Sequence, residues 1–304
     1  MIIMLKVKIK DIEFTSPIIA ASGTFGYGDE ASNILDLNKI GCVITKSITL
    51  EKREGNPHPR IHEASSGMLN SIGLANVGVD EFCKQKLPKL NNINTKFIVS
   101  IAGSTISDYI SVLKTIETEN GNHIGYEINV SCPNVKSGGM EFGISKDIIY
   151  DLTTQIRKIT KKLLIIKLSP NVTDIENIAL SAENAGADAI SAVNTLQGLA
   201  INPITGKFLL STKFGGLSGP AIKPVALAKI FKIYNTIKIP IIGMGGISKA
   251  SDIAEFFRVG STMVQIGTVN YRDPSLICKF YDQLLKFMNE NKIKDISDLT
   301  GNYK

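Results

Sequence analysis

The chain is predicted to be an α/β protein of the (β/α)8, or TIM-barrel, class. Eight short apolar, β-branched runs alternate with helical patterns across about 250 residues, the length such a barrel needs. The runs are apolar throughout, as strands must be when helices cover both faces of a parallel sheet. Two long connections both leave the C-terminal ends of strands, the face on which barrels of this class carry their sites. An open doubly wound sheet is the alternative, but eight units in one chain favour closure.

Taken in order, the stretch "MIIMLKVKIKDIEF" begins apolar but is too short for a signal core, and its later part alternates like a strand. This gives a short N-terminal β extension. The barrel strands are expected at 17–22, 41–47, 97–103, 124–131, 163–169, 188–194, 239–245 and 263–268. Between them, "SDYISVLKTIETENG" places Ile110, Leu113 and Ile116 on one helix face ahead of Gly121. In "TDIENIALSAENAG", Thr173 and Glu176 have capping-box spacing, and Ile175, Ile178, Ala179 and Ala182 form the apolar face before Gly186. "SKASDIAEFFRVG" stops at Gly260. The long connections cover residues 48–78 and 196–224, and "NPITG" in the second reads as a turn between short strands. Residues 1–304 are expected to form a single domain.

The formal charge of +6 comes from 34 Lys plus Arg against 28 Asp plus Glu, without a polybasic run that would suggest nucleic acid. The four cysteines are scattered, with no spacing that would hold zinc or an iron–sulfur cluster, so no metal site is expected. Their scatter suits a reducing, cytoplasmic setting, and no apolar run is long enough to span a bilayer.

Polar or small residues end every strand. They are Ser22, Lys46-Ser47, Ser100, Asn129, Lys167, Asn194-Thr195, Gly245-Gly246 and Gly267-Thr268. A single such residue means little, but a complete ring points to a polar ligand at the barrel mouth. Parity in the fourth strand sets Glu127, Asn129 and Ser131 on the face opposite Tyr126, Ile128 and Val130. The glycines after the seventh and eighth strands can bring backbone N–H groups close to a phosphate, although tight turns would use them too. Lys46 and Lys167 each end an apolar strand; they either snorkel or face an anion or an electron-rich ring. Cys132 lies just beyond the fourth strand and before Pro133, which holds it extended. It is either a buried filler or a reactive group. His58, His62 and His123 offer no triad partner, so proton abstraction is preferred to acyl transfer.

The segments "ASGTFGYG", "TKSITLEKREGNPHPR", "NSIGLANVG", "NVSCPNVK", "KLSPNV", "GGLSGPAIKP" and "IIGMGGI" occur in this order from about residue 17 to about residue 270. Together they resemble the class 1 dihydroorotate dehydrogenases. The resemblance implies one FMN per chain and oxidation of dihydroorotate to orotate in pyrimidine synthesis. By position, Cys132 is similar to the family's catalytic base. Lys46 would lie between flavin and substrate. Asn70, Ser71, Ile72, Gly73, Leu74, Asn129, Asn134, Asn194 and Thr195 would hold substrate. Ser22, Lys46, Ser47, Ser100, Asn129, Lys167, Val193, Gly219, Gly245, Gly246, Gly267 and Thr268 match flavin-binding positions. Ser100 stands where an asparagine is expected, yet its hydroxyl still offers a donor.

"ASGTFGYG", "KLSPNVTDI" and "GGLSGPAIKP" resemble class 1B, whose members pair with a second subunit carrying FAD and a [2Fe–2S] cluster and reduce NAD+. A homodimeric core, or a heterotetramer with that subunit, is implied. The fumarate-using homodimers of class 1A are the alternative. Cysteine at the base position and the lack of an N-terminal membrane extension argue against the quinone-using class 2. A tRNA-dihydrouridine synthase would need a helical RNA-binding domain after the barrel, where only one helix and a tail are expected. A phosphate-binding barrel without flavin would leave Cys132 and the amides unexplained.

Overall fold

The structure is a computed structural model that describes residues 3–31, 34–130 and 145–304, together with the backbone of 136–137 and 140–141. β1 (Val7–Ile9) and β2 (Ile12–Phe14) pair as an antiparallel hairpin with Val7 and Ile9 buried and Lys8 exposed. At its turn Lys10 Nζ lies 3.1 Å from Asp188, just ahead of a barrel strand, so the hairpin sits under the N-terminal end of the barrel.

β3 (Ile18–Ala20) and β4 (Cys42–Ile44) open the barrel, and the chain then leaves it for β5 (Ile61–Ala64) and β6 (Gly67–Asn70). It returns as β7 (Lys96–Ile101) and β8 (Gly125–Asn129), and a small hairpin follows, β9 (Lys136–Ser137) and β10 (Met140–Glu141). β11 (Leu163–Lys167) and β12 (Ala189–Ala192) continue the barrel, β13 (Leu196–Leu199) and β14 (Phe214–Ser218) leave it, and β15 (Ile241–Met244) and β16 (Met263–Ile266) complete it. The closed order is β11-β12-β15-β16-β3-β4-β7-β8, parallel throughout. All eight expected strands are present, each shorter than its apolar run, and the open sheet is excluded. The two long connections become structure of their own: their short strands β13, β14, β6 and β5 form one four-stranded antiparallel sheet.

The helices are α1 (Val79–Glu81) and α2 (Leu87–Leu90), joined by a π turn, then α3 (Ile106–Glu117), α4 (Lys146–Ile159) and α5 (Ile175–Asn184). α6 (Lys223–Tyr234), α7 (Ala250–Arg258), α8 (Val269–Arg272) and α9 (Leu276–Glu290) follow. Two local expectations are corrected. In α3 the buried face is Tyr109, Val112, Leu113 and Ile116, and Ile110 is only half-buried. α5 is capped by Asp174, which accepts from Asn177 N, and not by Thr173 with Glu176. Aspartate caps as well as threonine does, so spacing alone leaves the start ambiguous by one residue.

On the outer side of the barrel, His123 Nε2 and the Tyr126 hydroxyl lie 2.7 Å apart in a buried contact. Burial, and then the Lys162 cation, push the imidazole from 6.5 down to about 4 against the pull of Glu117. Because the folded value is depressed, the neutral ring's stability is fully present above pH 6.5 and is lost as pH falls toward 4. A shift of that size is worth about 3 kcal/mol. The urea midpoint is therefore expected to fall between pH 7 and pH 4.5, and His123→Phe should flatten that slope; parallel slopes would refute the assignment.

Candidate active site

A cavity of about 1520 Å³ opens at the C-terminal ends of the barrel strands, with the four-stranded sheet forming one side of it. Its wall includes Ser22 after β3, Lys46 and Ser47 after β4, and Asn129 at the end of β8. Lys167 ends β11, Val193, Asn194 and Thr195 follow β12, Gly245 and Gly246 follow β15, and Gly267 and Thr268 follow β16. Asn70 to Leu74 and Gly219 come from the inserted sheet and its edges. The fold thus gathers residues as far apart in sequence as Ser22 and Arg272 around one space.

Hydrogen bonds explain why these side chains hold their places. Ser22 Oγ donates to Thr45 O at 2.8 Å, and Asn129 Nδ2 donates to Ser47 Oγ at 3.2 Å. Ser100 is fully buried one layer beneath and is not on the wall; its hydroxyl lies 2.8 Å from that of Ser47. Strand β7 therefore supports the site through Ser47. Asn70 Nδ2 donates to Gly216 O at 3.2 Å, which ties the two insertions together. Asn76 fixes the following loop by donating to Leu74 O at 2.7 Å and accepting from Gly78 N at 2.8 Å. Thr195 N donates to Asn194 Oδ1 at 2.9 Å.

The two lysines differ in their surroundings. Lys46 is half-buried, and no carboxylate among the described residues forms an ion pair with it. Burial, and then the charge of Arg60, push its ammonium below the usual 10.5, while Glu30 opposes them. Lys167 is almost wholly buried and faces Glu127 Oε1 at 3.6 Å. The parity expected for β8 holds: Glu127 and Asn129 turn inward, and Tyr126 turns out to His123.

The cavity also takes in residues the sequence did not single out, among them Arg53, Asn56, Ser169, Asn171, Gln265, Tyr271 and Arg272. Gln265 could have been found from strand parity, because it is a polar residue inside an apolar run. Arg53 and Asn56 sit in an irregular loop that leaves no periodic signal. Cys132, Asn134 and Ser131 lie outside the described residues.

The wall is suited to a polar, partly planar ligand. Ser71 and Gln265 belong to the wall, and their Oγ and Oε1 are buried without a hydrogen-bond partner among the described residues. A Cβ built on Gly23, at φ +81°, would meet nothing within 4 Å, so the wall is open there on the ligand side. Gly246, at φ +85°, packs so closely that a Cβ would lie 2.9 Å from Gly219 O and 2.8 Å from Lys223 N. That closeness brings the loop after β15 against the turn leading into α6.

Fold and mouth together define a TIM-barrel protein with a polar ligand site at the C-terminal ends of its strands. The chain belongs to the dihydroorotate dehydrogenase family, whose model matches residues 4–288. It is 43% identical to the catalytic subunit of dihydroorotate dehydrogenase B (NAD(+)) of a Thermoanaerobacter strain, over 99% of both chains. The corresponding subunit of Bacteroides thetaiotaomicron is 44% identical over 98% of both chains. That of Malacoplasma penetrans is 44% identical over 98% of this chain and 97% of its own. DHODH of Eimeria tenella, crystallised in complex with ferulenol, shares the fold with a TM-score of 0.79 at 24% identity, over 98% of this chain and 88% of its own. Among the described residues no helix is long and apolar enough to cross a membrane.

Proposed function

We propose that the chain, a single domain over residues 1–304, is the FMN-bearing catalytic subunit of a cytoplasmic, NAD+-linked dihydroorotate dehydrogenase. It oxidises (S)-dihydroorotate to orotate in pyrimidine synthesis. The observation that carries this reading is the convergence of strand-end residues and the Asn70–Leu74 loop on one cavity. Its size exceeds the roughly 300–1,000 Å³ typical of a single small ligand, which leaves space for a cofactor and a substrate together.

The residues present fit FMN. Backbone N–H groups of Gly219, Gly245, Gly246, Gly267 and Thr268 would take its phosphate, at glycine turns where side chains do not intrude. Ser22, Ser47, Asn129, Lys167 and Val193 would meet its ring system, with Ser100 acting from behind Ser47. When bound, FMN supplies the two-electron acceptor for the hydride that leaves substrate C6.

The chain's own side chains do the rest. Asn70, Asn129, Asn134, Asn194 and Thr195 offer amide and hydroxyl groups that pair with the N–H and C=O edges of the substrate ring, with Ser71 to Leu74 closing around it. Lys46 balances the substrate carboxylate and holds the ring in position. Cys132, as thiolate, takes the proton from C5 and becomes the neutral thiol. Removal of that proton and of the C6 hydride leaves the C5–C6 double bond of orotate.

Electrons would pass onward to NAD+ through a partner subunit that holds FAD and a [2Fe–2S] cluster. A homodimeric core, alone or within a heterotetramer, is part of the same proposal. Exposed apolar side chains on the second insertion that do not line the cavity, including Leu199, Ile201 and Phe208, support contact with other chains. The purified chain is expected to be yellow and to oxidise dihydroorotate with an artificial acceptor. NAD+ reduction should appear only when the partner subunit is added. Fumarate reduction by the chain alone would favour the class 1A alternative, and a colourless chain that takes up no FMN would sink the reading.

A further inference from the structure

The interiors of such barrels are usually layers of branched apolar side chains, yet this one holds a fully buried carboxylate. Glu127, on β8, has one oxygen fixed by neutral donors from two other strands: Oε2 accepts from Ser191 Oγ at 2.9 Å on β12 and from Gln265 Nε2 at 2.6 Å on β16. The other oxygen, Oε1, takes no hydrogen bond and stands 3.6 Å from Lys167 Nζ on β11. Lys167 lies against both Glu127 and the cavity. At 3.6 Å the ammonium is attracted by charge but is not engaged in a charge-assisted hydrogen bond, which would be shorter than about 3 Å. Its N–H donors therefore remain available to an acceptor in the cavity.

Stability does not account for this arrangement. Well-packed apolar residues usually serve a barrel interior at least as well as a buried ion pair. We propose that Glu127 is a positioning residue for Lys167: it anchors the ammonium at the cavity floor and sets how much positive charge reaches a bound ligand ring. The proposal rests on the FMN reading above. With the carboxylate behind it, the lysine presents a partly compensated charge to the ring. Glu127→Gln keeps the shape and an oxygen acceptor but removes that compensation, so the reduced, electron-rich flavin gains affinity over the oxidised form.

The test is a spectroelectrochemical titration of bound FMN, without dihydroorotate or turnover. Glu127→Gln is expected to raise the reduced-to-oxidised affinity ratio at least tenfold, a shift of about +30 mV for a two-electron couple. Ser191→Ala leaves the charge in place, removes one of its anchors and frees the carboxylate to close on Lys167. It should move the potential the opposite way, by about threefold in the same ratio. A purely structural role would lower the melting temperature of Glu127→Gln and leave its potential at the wild-type value, and that result overturns the inference. If Glu127→Gln does not fold, an unchanged potential in Ser191→Ala overturns it instead. Wild-type protein that takes up no FMN defeats the underlying functional reading, which is a distinguishable failure.

Discussion

Cys132→Ala is expected to lower dihydroorotate turnover by about 10²–10⁴-fold while FMN content stays at the wild-type level. The size of the loss follows from the role of a general base: without it, C5 has no positioned group to take its proton. The retained flavin follows from where the other residues lie. Ser22, Ser47, Lys167, Gly245, Gly246 and Thr268 stand on other strands and do not depend on the thiol. Strand β8 carries Asn129 to the mouth, held by Ser47, and Cys132 follows three residues later. Rapid mixing with dihydroorotate, monitored at the flavin absorbance, separates the two effects. A variant that bleaches at the wild-type rate rules out Cys132 as the base, and a variant that loses its flavin shows a structural role.

Lys46 should give the second large effect. It is a half-buried cation on the cavity wall with no ion-pair partner among the described residues, so a substrate carboxylate would provide its counter-charge. Lys46→Met is expected to weaken orotate binding about 30-fold or more, the lower end of what truncating one partner of a buried charge pair costs. A pH signature accompanies it. Burial, then Arg60, hold the ammonium below 10.5 in the free protein, and a bound anion favours the charged form. Orotate affinity should therefore be full below the lowered value and decline as pH rises through it, before the ordinary lysine range is reached. Titrating orotate by flavin difference absorbance at successive pH values checks this. Affinity that stays flat up to pH 10.5 in the wild-type chain would contradict the assignment, as would a slope that survives in Lys46→Met.

Much of the site was legible because a barrel converts local pattern into position. Once eight apolar runs are taken as parallel strands of one closed sheet, every strand end must point to the same rim. Ser22, Lys46, Asn129, Lys167 and Thr268 then have to meet whatever their separation in sequence. What stayed hidden depends on contacts between segments whose pairing no periodicity encodes. The connection after β4 reads as a loop, and the one after β12 only as a turn between short strands of unknown partners, because β5, β6, β13 and β14 are short and complete one another only through non-local hydrogen bonds such as the pairing of Gly216 with Asn70.

The amino-acid order by itself determined the barrel, the location of its mouth and the chemical types of most groups around it. These follow from apolar period, strand parity and residue identity, all of which are properties of neighbouring residues. Tertiary structure alone decided that Ser100 lies behind Ser47, that the two insertions form one sheet beside the cavity, and that Glu127, Ser191, Gln265 and Lys167 make a polar cluster inside the barrel. Which side chain stands in front of another, and which carboxylate faces which ammonium, is fixed by packing across strands that the sequence keeps far apart.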